Sequence, residues 1–176
     1  MKGVFYDTNL FSYFFLTKDF DHPYSPTNKD FLPYISLFVE EEFLHVVLKG
    51  SYKNWGINKK FLDIWKELQT FLGLFREANT SISTIKVVLF DLIGILNQTL
   101  NLELLYRRRK MPDIMDLLHL SASDIVECEL FLTTDKKFEI LGSQNVKNKL
   151  MFKSVKKILI FDIDNPSKLL KEVDIQ

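Results

Sequence analysis

Cysteine is almost absent from this 176-residue sequence, which contains one residue of that type, Cys128. A single thiol cannot form an intramolecular disulfide, and it cannot supply a zinc site built from several cysteines. The sequence therefore excludes the disulfide-rich class of small secreted domains and the zinc-finger class. A reducing, cytoplasmic setting is the expected environment.

An excess of charge of either sign is also lacking. The sequence holds 23 Lys and Arg residues and 23 Asp and Glu residues, so its formal net charge is zero. A neutral chain has no overall attraction for nucleic acids or for anionic membranes. Any contact with a polyanion must therefore depend on a local basic patch.

No apolar run is long enough to predict a membrane span. The most apolar stretch, residues 87–96, is interrupted by Asp91 and falls well short of the ~20 residues needed to cross a bilayer. The N-terminal segment reaches Asp7 after three apolar residues, too few for the apolar region of a signal peptide. These features predict a soluble protein that is not secreted and makes no membrane contact.

Apolar and aromatic side chains are abundant, at 47% and 14% of the residues, which is enough for one compact core. We predict a single domain over residues 1–176. Short apolar runs at 3–6, 129–134 and 155–161 predict buried strands, and helical patterns separate them. This alternation predicts an α/β domain in which helices cover a central, mainly parallel sheet.

Helical patterns fill most of the chain between the predicted strands. Apolar residues recur at intervals of three and four over 61–75 and 85–100, and these two helices predict an extra helical hairpin. Prolines and charges without a period predict a loop at 18–30. The expected helices lie at residues 10–16, 36–49, 61–75, 85–100 and 112–126, with shorter ones that open at Asp135 and at Asn165.

Acidic side chains follow two of the predicted strands. Asp7 and Asp135 come directly after the first and second strands. The carboxyl ends of parallel strands meet at one edge of a sheet, where ligands bind, so these acids are expected to face one crevice. Asp116 lies in the first turns of the helix before the second strand, and Asp113 lies on the same helical face.

The helix at 36–49 offers the crevice a further acid. Its core-facing stripe is flanked by Glu40 and Glu42, whereas Glu41 is expected on the far side. Converging carboxylates repel one another unless a cation lies between them. Oxygen ligands without a cluster of histidines or thiolates favour Mg²⁺ or Mn²⁺ over Zn²⁺. The chemistry predicted for such a site is hydrolysis of a phosphodiester by metal-activated water.

The order of these motifs resembles that of the PIN-domain family. PIN domains have a three-layer αβα fold, are Mg²⁺- or Mn²⁺-dependent nucleases with four acids, and include the VapC-type toxins of bacterial toxin–antitoxin pairs. The resemblance extends over nearly the whole chain. It is carried by Asp7-Thr8-Asn9, by Ile35-Ser36 through Glu42-Phe43, by the run from Asp116 to Ala122, and by residues 131–138.

The resemblance implies both an activity and a set of site residues. The implied protein is an endoribonuclease toxin that cleaves tRNA or another structured RNA, forms a homodimer and binds a cognate antitoxin. A PIN-like scaffold that binds RNA or protein without cleavage is the alternative. From the residues alone, the choice between Glu40 and Glu42 stays open. The family's acids fall on Asp7, Glu42, Asp116 and Asp135, and its polar partners fall on Thr8, Asn9 and Thr133.

Several candidates also have a structural interpretation. Asp7 and Asp135 are typical N-caps of the helices that follow them, and Asp113 is a typical first-turn acid as well as a candidate support for the metal. His119 is expected to be a packed core histidine rather than a base. One basic run is either a solvated helix end or a surface that holds an RNA backbone. The candidate RNA-binding residues are Arg107, Arg108, Arg109, Lys110 and Lys136.

Overall fold

The structure is a computed structural model that describes residues 1–49, 61–78, 81–150 and 152–176. Within these ranges, six strands form one sheet. They are β1 (Lys2–Tyr6), β2 (Phe31–Ile35), β3 (Arg76–Glu77), β4 (Leu130–Thr133), β5 (Lys157–Phe161) and β6 (Leu169–Asp174). The order across the sheet is β3-β2-β1-β4-β5-β6, and among these described strands β6 alone runs antiparallel to its neighbour. The mainly parallel sheet expected from the sequence is confirmed.

Helices cover both faces of this sheet. They are α1 (Thr8–Thr17), α2 (Leu37–Lys49), α3 (Phe61–Leu72), α4 (Ile82–Thr99), α5 (Leu102–Arg107), α6 (Ile114–Ile125) and α7 (Gln144–Lys147), with a 3₁₀ helix at Lys136–Gly142. Successive side chains of a strand point to opposite faces. In β1, Phe5 packs against His119 of α6, whereas Tyr6 packs against Phe14 of α1. The fold is therefore a three-layer α/β arrangement.

The central strand is buried on both sides, which explains its uninterrupted apolar run. Val4, Phe5 and Tyr6 are fully buried. A strand between two helical layers gains free energy from both faces, since each buried apolar side chain contributes roughly 1.5–3 kcal/mol. Asp7 directly follows β1, and Thr133 is the last residue of the neighbouring strand β4. These positions define the edge of the sheet where the acids lie.

Two predictions from the sequence differ from the structure in the outer part of the sheet. No strand was predicted at β2, where Pro33 pairs beside Val4. The terminal helix expected from Asn165 is wrong, because the chain turns there and returns as β6 against β5. An Asn-Pro pair begins turns as well as helices, and ion pairs of Lys157 with Glu172 favour the strand.

The expected helical hairpin is divided by a strand. Both helices are present, but β3 lies between them in the chain and pairs with β2. Phe71 of α3 packs against Phe11 and Phe15 of α1, whereas α4 packs against α6. The helix α3 therefore lies in the layer of α1, whereas α4 lies in the layer of α6.

The helix α4 leaves a large apolar face uncovered. Its length of 18 residues and its mean hydropathy of 1.3 would suit a membrane span, and 22% of its residues are buried in the structure. In the described part of the chain, one helix meets these two criteria. Ile85, Leu89, Leu92 and Leu96 of this helix belong to the core. The helix therefore packs one side against the core and leaves its other side exposed.

A buried carboxylate joins α6 to the segment that enters β5. Asp124 accepts backbone N–H hydrogen bonds from Lys153, Ser154 and Val155 at 3.2, 2.8 and 3.0 Å. Oδ1 accepts two of these bonds and Oδ2 accepts one. A carboxylate can accept all three at once, and hydrogen bonds to a charged acceptor are stronger than neutral ones.

We expect Asp124→Asn to lower the free energy of unfolding by about 2 kcal/mol, because its amide N–H₂ would face one of these backbone N–H groups. Urea unfolding followed by circular dichroism measures the change. The matched control is Asp91→Asn, the same substitution at an exposed position of α4, which should leave the free energy nearly unchanged. Equal stabilities of the two variants would contradict a structural role for Asp124.

Candidate active site

An open pocket of about 510 Å³ lies at the carboxyl end of β1, between the beginnings of two helices and the middle of a third. The start of α1, one face of α2 and the first turns of α6 form its walls. Parallel α/β sheets bind ligands at this edge, beyond the carboxyl ends of their strands. The lining residues are Asp7, Thr8, Asn9, Glu41, Glu42, His45, Met115, Asp116 and His119.

Asp7 is held at the end of β1 by donors from two elements. It is the N-cap of α1, and its Oδ1 accepts the backbone N–H groups of Asn9 and Leu10 at 3.0 and 3.3 Å. Its Oδ2 accepts the hydroxyl of Thr133, at the end of β4. The capping role predicted for Asp7 is confirmed, and the second oxygen ties the residue to the neighbouring strand.

Glu42 projects into the pocket from α2, where it meets donors from two other helices. Its Oε2 accepts the hydroxyl of Thr8, and it lies 3.0 Å from Nε2 of His119. Glu40 is not among the lining residues. Partial burial and, as a smaller cause, the charge of Glu77 raise the pKa of Glu40. The structure thus brings Glu42, rather than Glu40, to the other acids.

Glu41 corrects one expectation about this helix. It was expected on the far side of α2, but it is an exposed residue that also lines the pocket. An open pocket extends from the core edge of a helix onto its solvent face, so two consecutive residues can reach it. Glu41 therefore adds a fourth carboxylate to the wall, at its solvent side.

Asp116 lies on the pocket wall through a capping arrangement at the start of α6. Asp113 is the N-cap of this helix, its Oδ1 accepts the backbone N–H of Asp116 at 3.0 Å, and Asp116 Oδ2 accepts the backbone N–H of Asp113 at 3.1 Å. Pro112 precedes the cap, so the helix begins later than the sequence predicted. Asp113 itself is exposed and lies off the wall.

Asp135 is close to the pocket but not on its wall. It is the N-cap of the 3₁₀ helix, and its Oδ1 accepts the backbone N–H of Lys137 at 2.9 Å. Its Oδ2 lies 3.4 Å from the Lys137 ammonium. The Thr133 hydroxyl oxygen accepts the backbone N–H of Asp135 at 3.0 Å while it donates to Asp7. One hydroxyl therefore connects the first and fourth acids.

The pocket has an excess of negative charge. Burial raises the pKa of Asp7 from 3.8 to about 6, although hydrogen bonds from Thr133 and the backbone and the nearby His119 oppose the rise. Burial, and after it the charges of Asp113, Asp7 and Asp135, raise the pKa of Asp116 from 3.8 to about 8. Among the described residues that line the pocket, none is Lys or Arg. The groups on this wall that can carry a positive charge are the imidazoles of His45 and His119.

Glu42 is in the opposite electrostatic state. Partial burial acts to raise its pKa, but hydrogen bonds from His119 and Thr8 and the nearby imidazole together hold the pKa below its ordinary value. The pKa of Glu42 is therefore shifted in the opposite direction to the pKa of Asp116. Neighbouring acids with divergent pKa values are typical of functional sites.

The donor set fits a hard divalent cation in its chemistry. Four carboxylates on the wall and no thiolate suit Mg²⁺ or Mn²⁺. A bound cation would oppose the burial and, after it, the carboxylate repulsion that raise the pKa of Asp116. In the described part of the chain, however, no three His, Cys, Asp or Glu side chains are grouped closely enough to hold a metal ion. A cation would have to draw the carboxylates together.

Some residues at the site were not predicted from the sequence. His45 and Met115 line the pocket, and the Thr134 hydroxyl accepts a hydrogen bond of 3.0 Å from Nδ2 of Asn9. His45 lies three residues after Glu42, a spacing that places both side chains on one helical face. That spacing is the signal that could have identified His45.

The candidate RNA-binding residues lie outside the pocket wall. The four basic residues 107–110 are exposed, and Arg107 ends α5, where it forms an ion pair of 2.6 Å with Glu103. Lys136 is an exposed residue directly after Asp135. Both surfaces are solvent-accessible beside elements that carry acids of the site.

Comparison with solved structures supports the fold. The chain is similar to a chain in the crystal structure of VapBC2 from Rickettsia felis bound to a DNA fragment from their promoter. The TM-score is 0.52 at 20% sequence identity, and the match covers 82% of this chain and 95% of that one. No protein-family profile matches the sequence, and no curated protein does so either. At this identity the likeness shows the three-layer fold.

We expect Asp116→Asn to stabilise the metal-free protein more at high pH than at low pH. Because the folded protein raises the pKa of Asp116, its stability falls as pH rises from 3.8, where the unfolded carboxyl ionises, to about 8, where the folded one does. The variant escapes this loss, and its amide oxygen can still accept the capping bond.

Urea unfolding in EDTA at pH 5 and pH 9 measures the difference. The variant should gain about 1–3 kcal/mol over the unsubstituted protein at pH 9 and much less at pH 5. Asp91→Asn removes the same charge from an exposed site and should show no such dependence. An equal effect of Asp116→Asn at both pH values would contradict a strained carboxylate at this position.

Proposed function

We propose that the protein is a Mg²⁺- or Mn²⁺-dependent endoribonuclease of the PIN type and the toxin component of a type II toxin–antitoxin pair. One observation carries the proposal: Asp7, Glu42 and Asp116 line one open pocket without a Lys or Arg on its wall. The pocket lies in a fold similar to that of a chain in a VapBC complex. Asp135 adjoins this group through Thr133.

The four acids Asp7, Glu42, Asp116 and Asp135 are the residues that would hold the cation. When bound, Mg²⁺ or Mn²⁺ activates water and neutralises the negative charge that develops on phosphate oxygens during hydrolysis. The acids alone would repel a phosphodiester, so the substrate requires the cation for access as well as for chemistry.

The chain's own residues prepare this site. Thr133 and two backbone N–H groups hold Asp7, while Thr8 and His119 hold Glu42. These hydrogen bonds orient the two carboxylates before a cation binds, and such orientation is a main contribution of a protein to hydrolysis of this kind.

The exposed basic residues supply contacts for the RNA backbone. Arg108, Arg109 and Lys110 precede α6, which carries Asp116, and Lys136 follows Asp135. A neutral chain needs such local patches, since phosphate contacts dominate affinity for nucleic acids. We propose a structured RNA such as tRNA as the substrate. The alternative to a nuclease is a scaffold that binds RNA or protein without cleavage.

We propose that the protein acts in the cytoplasm and binds two kinds of protein partner. The first is a cognate antitoxin, in line with the VapBC complex that the fold resembles. The second is another copy of the chain at the exposed face of α4, where Val87 and Phe90 are 60% and 67% exposed. Both side chains are apolar, so packing this face against the same face of a second copy removes apolar surface from water.

We expect purified protein to cut a mixture of tRNA and other structured RNAs into discrete fragments in Mn²⁺ or Mg²⁺ and not in EDTA. Asp116→Asn should reduce the cleavage rate ~100-fold or more, because one ligand charge is lost. Asp91→Asn, with the same loss of charge on α4, should cleave as the unsubstituted protein does. Gel electrophoresis of the RNA gives the rates.

The scaffold alternative has a distinct outcome in the same experiment. Folded protein that binds Mn²⁺ and RNA but leaves every RNA intact would contradict the nuclease and support the scaffold. Cleavage that persists in both EDTA and Asp116→Asn would indicate a contaminating nuclease and also contradict the proposed site.

The homodimer has its own test in size-exclusion chromatography with light scattering. We expect a mass twice the 20.7 kDa of one chain, and a single-chain mass for Phe90→Ser with an unchanged circular dichroism spectrum. Tyr106→Ser removes an equally exposed aromatic ring from α5 and should remain dimeric. A single-chain mass for the unsubstituted protein would exclude self-association and leave this face to another partner.

A further inference from the structure

A buried histidine adjoins the acids without belonging to them. His119 lies on α6 three residues after Asp116, is 1% exposed, and still forms part of the pocket wall. Its Nε2 is 3.0 Å from Glu42 Oε2, and its Nδ1 is 3.4 Å from the hydroxyl of Ser36, which is itself buried. The prediction of a packed, hydrogen-bonded core histidine is confirmed, but one of its partners is a carboxylate of the site.

The chemistry of these groups assigns the direction of each hydrogen bond. An ionised carboxylate only accepts, so Nε2 of His119 must carry the proton and donate to Glu42. In a neutral imidazole the other nitrogen then accepts, and the Ser36 hydroxyl donates to it. The carboxylate of Glu42 thereby selects this tautomer, and the Ser36 hydroxyl is compatible with it because a hydroxyl can donate to the unprotonated Nδ1.

The contacts restrain Glu42 from several directions. Thr8 of α1 donates to the same oxygen, Oε2, that receives the histidine bond. The aromatic ring of Phe5 in β1 packs against the imidazole, with 6.2 Å between ring centroids. Thr8 and His119 therefore both donate to Oε2 of Glu42, which leaves Oε1 as the oxygen for a ligand in the pocket.

We propose that His119 is a positioning residue. It holds the carboxylate of Glu42 so that this carboxylate, together with Asp7 and Asp116, can bind a divalent cation in the pocket. The inference rests on the proposed function in requiring that cation. Groups that hydrogen-bond to metal ligands in this way typically change metal affinity or activity 10–100-fold when they are substituted. A histidine that merely fills the core would change stability and leave the affinity of the folded protein unaltered.

Two substitutions of similar chemistry separate these roles. The amide nitrogen of His119→Gln can take the place of Nε2 and donate to Glu42. The shorter amide of His119→Asn can take the place of Nδ1 beside Ser36, but it cannot reach Glu42. Both variants place a neutral polar amide in the same buried position, so they should perturb the core to a similar extent.

The measurement is Mn²⁺ affinity by isothermal titration calorimetry on folded protein, with circular dichroism as the control for folding. We expect His119→Asn to bind Mn²⁺ about 10–100-fold more weakly than the unsubstituted protein and His119→Gln to remain within about threefold. Thr8→Val, which removes the second donor to the same oxygen, should also weaken Mn²⁺ binding. In cleavage assays, His119→Asn should lower kcat while KM for RNA stays unchanged.

Three results would overturn the inference. Equal, unaltered affinities of both histidine variants would show that Glu42 needs no such support, and equally weakened affinities would indicate a packing role. Absence of Mn²⁺ binding by the unsubstituted protein would remove the cation itself. Intact RNA in the cleavage assay, with Mn²⁺ affinities ordered as expected, would instead contradict only the nuclease proposal.

Discussion

The burial of the Asp7 carboxylate at the end of the central strand is the constraint on which the site depends. This side chain is 4% exposed, so each of its oxygens must receive hydrogen bonds from the protein. The backbone of α1 satisfies one oxygen, and Thr133 of β4 satisfies the other. Asp7 therefore connects a strand, the helix after it and the neighbouring strand, and it fixes the place where the other acids converge.

The three acids on the inner wall differ in how the fold treats their charge. Burial raises the pKa of Asp7, whereas partial burial and, after it, the charges of nearby carboxylates raise the pKa of Asp116. Glu42 has donors from two helices, so its charged form is favoured. Under the proposed function, a cation bound beside these acids would displace protons from them and stabilise the folded protein.

The exposed face of α4 contrasts with the pocket. Its inner residues belong to the core, whereas Val87 and Phe90 point away from it. Apolar patches of this kind are typical of surfaces that bind another protein. The same domain thus separates two surfaces, an acidic pocket at the carboxyl edge of the sheet and an apolar helix face that suits a protein partner.

The sequence by itself determined the central strands β1, β4 and β5, most of the helices and the order of the acids, because apolar periodicity and caps are local properties. Only the tertiary structure decided the strands on either side of this centre, where β2 pairs with β1 and β3, and β6 pairs with β5. It also decided which glutamate of α2 faces Asp7, and it joined His119 to Glu42. Those contacts link residues 77 positions apart in the chain, and local patterns contain no information about such distances.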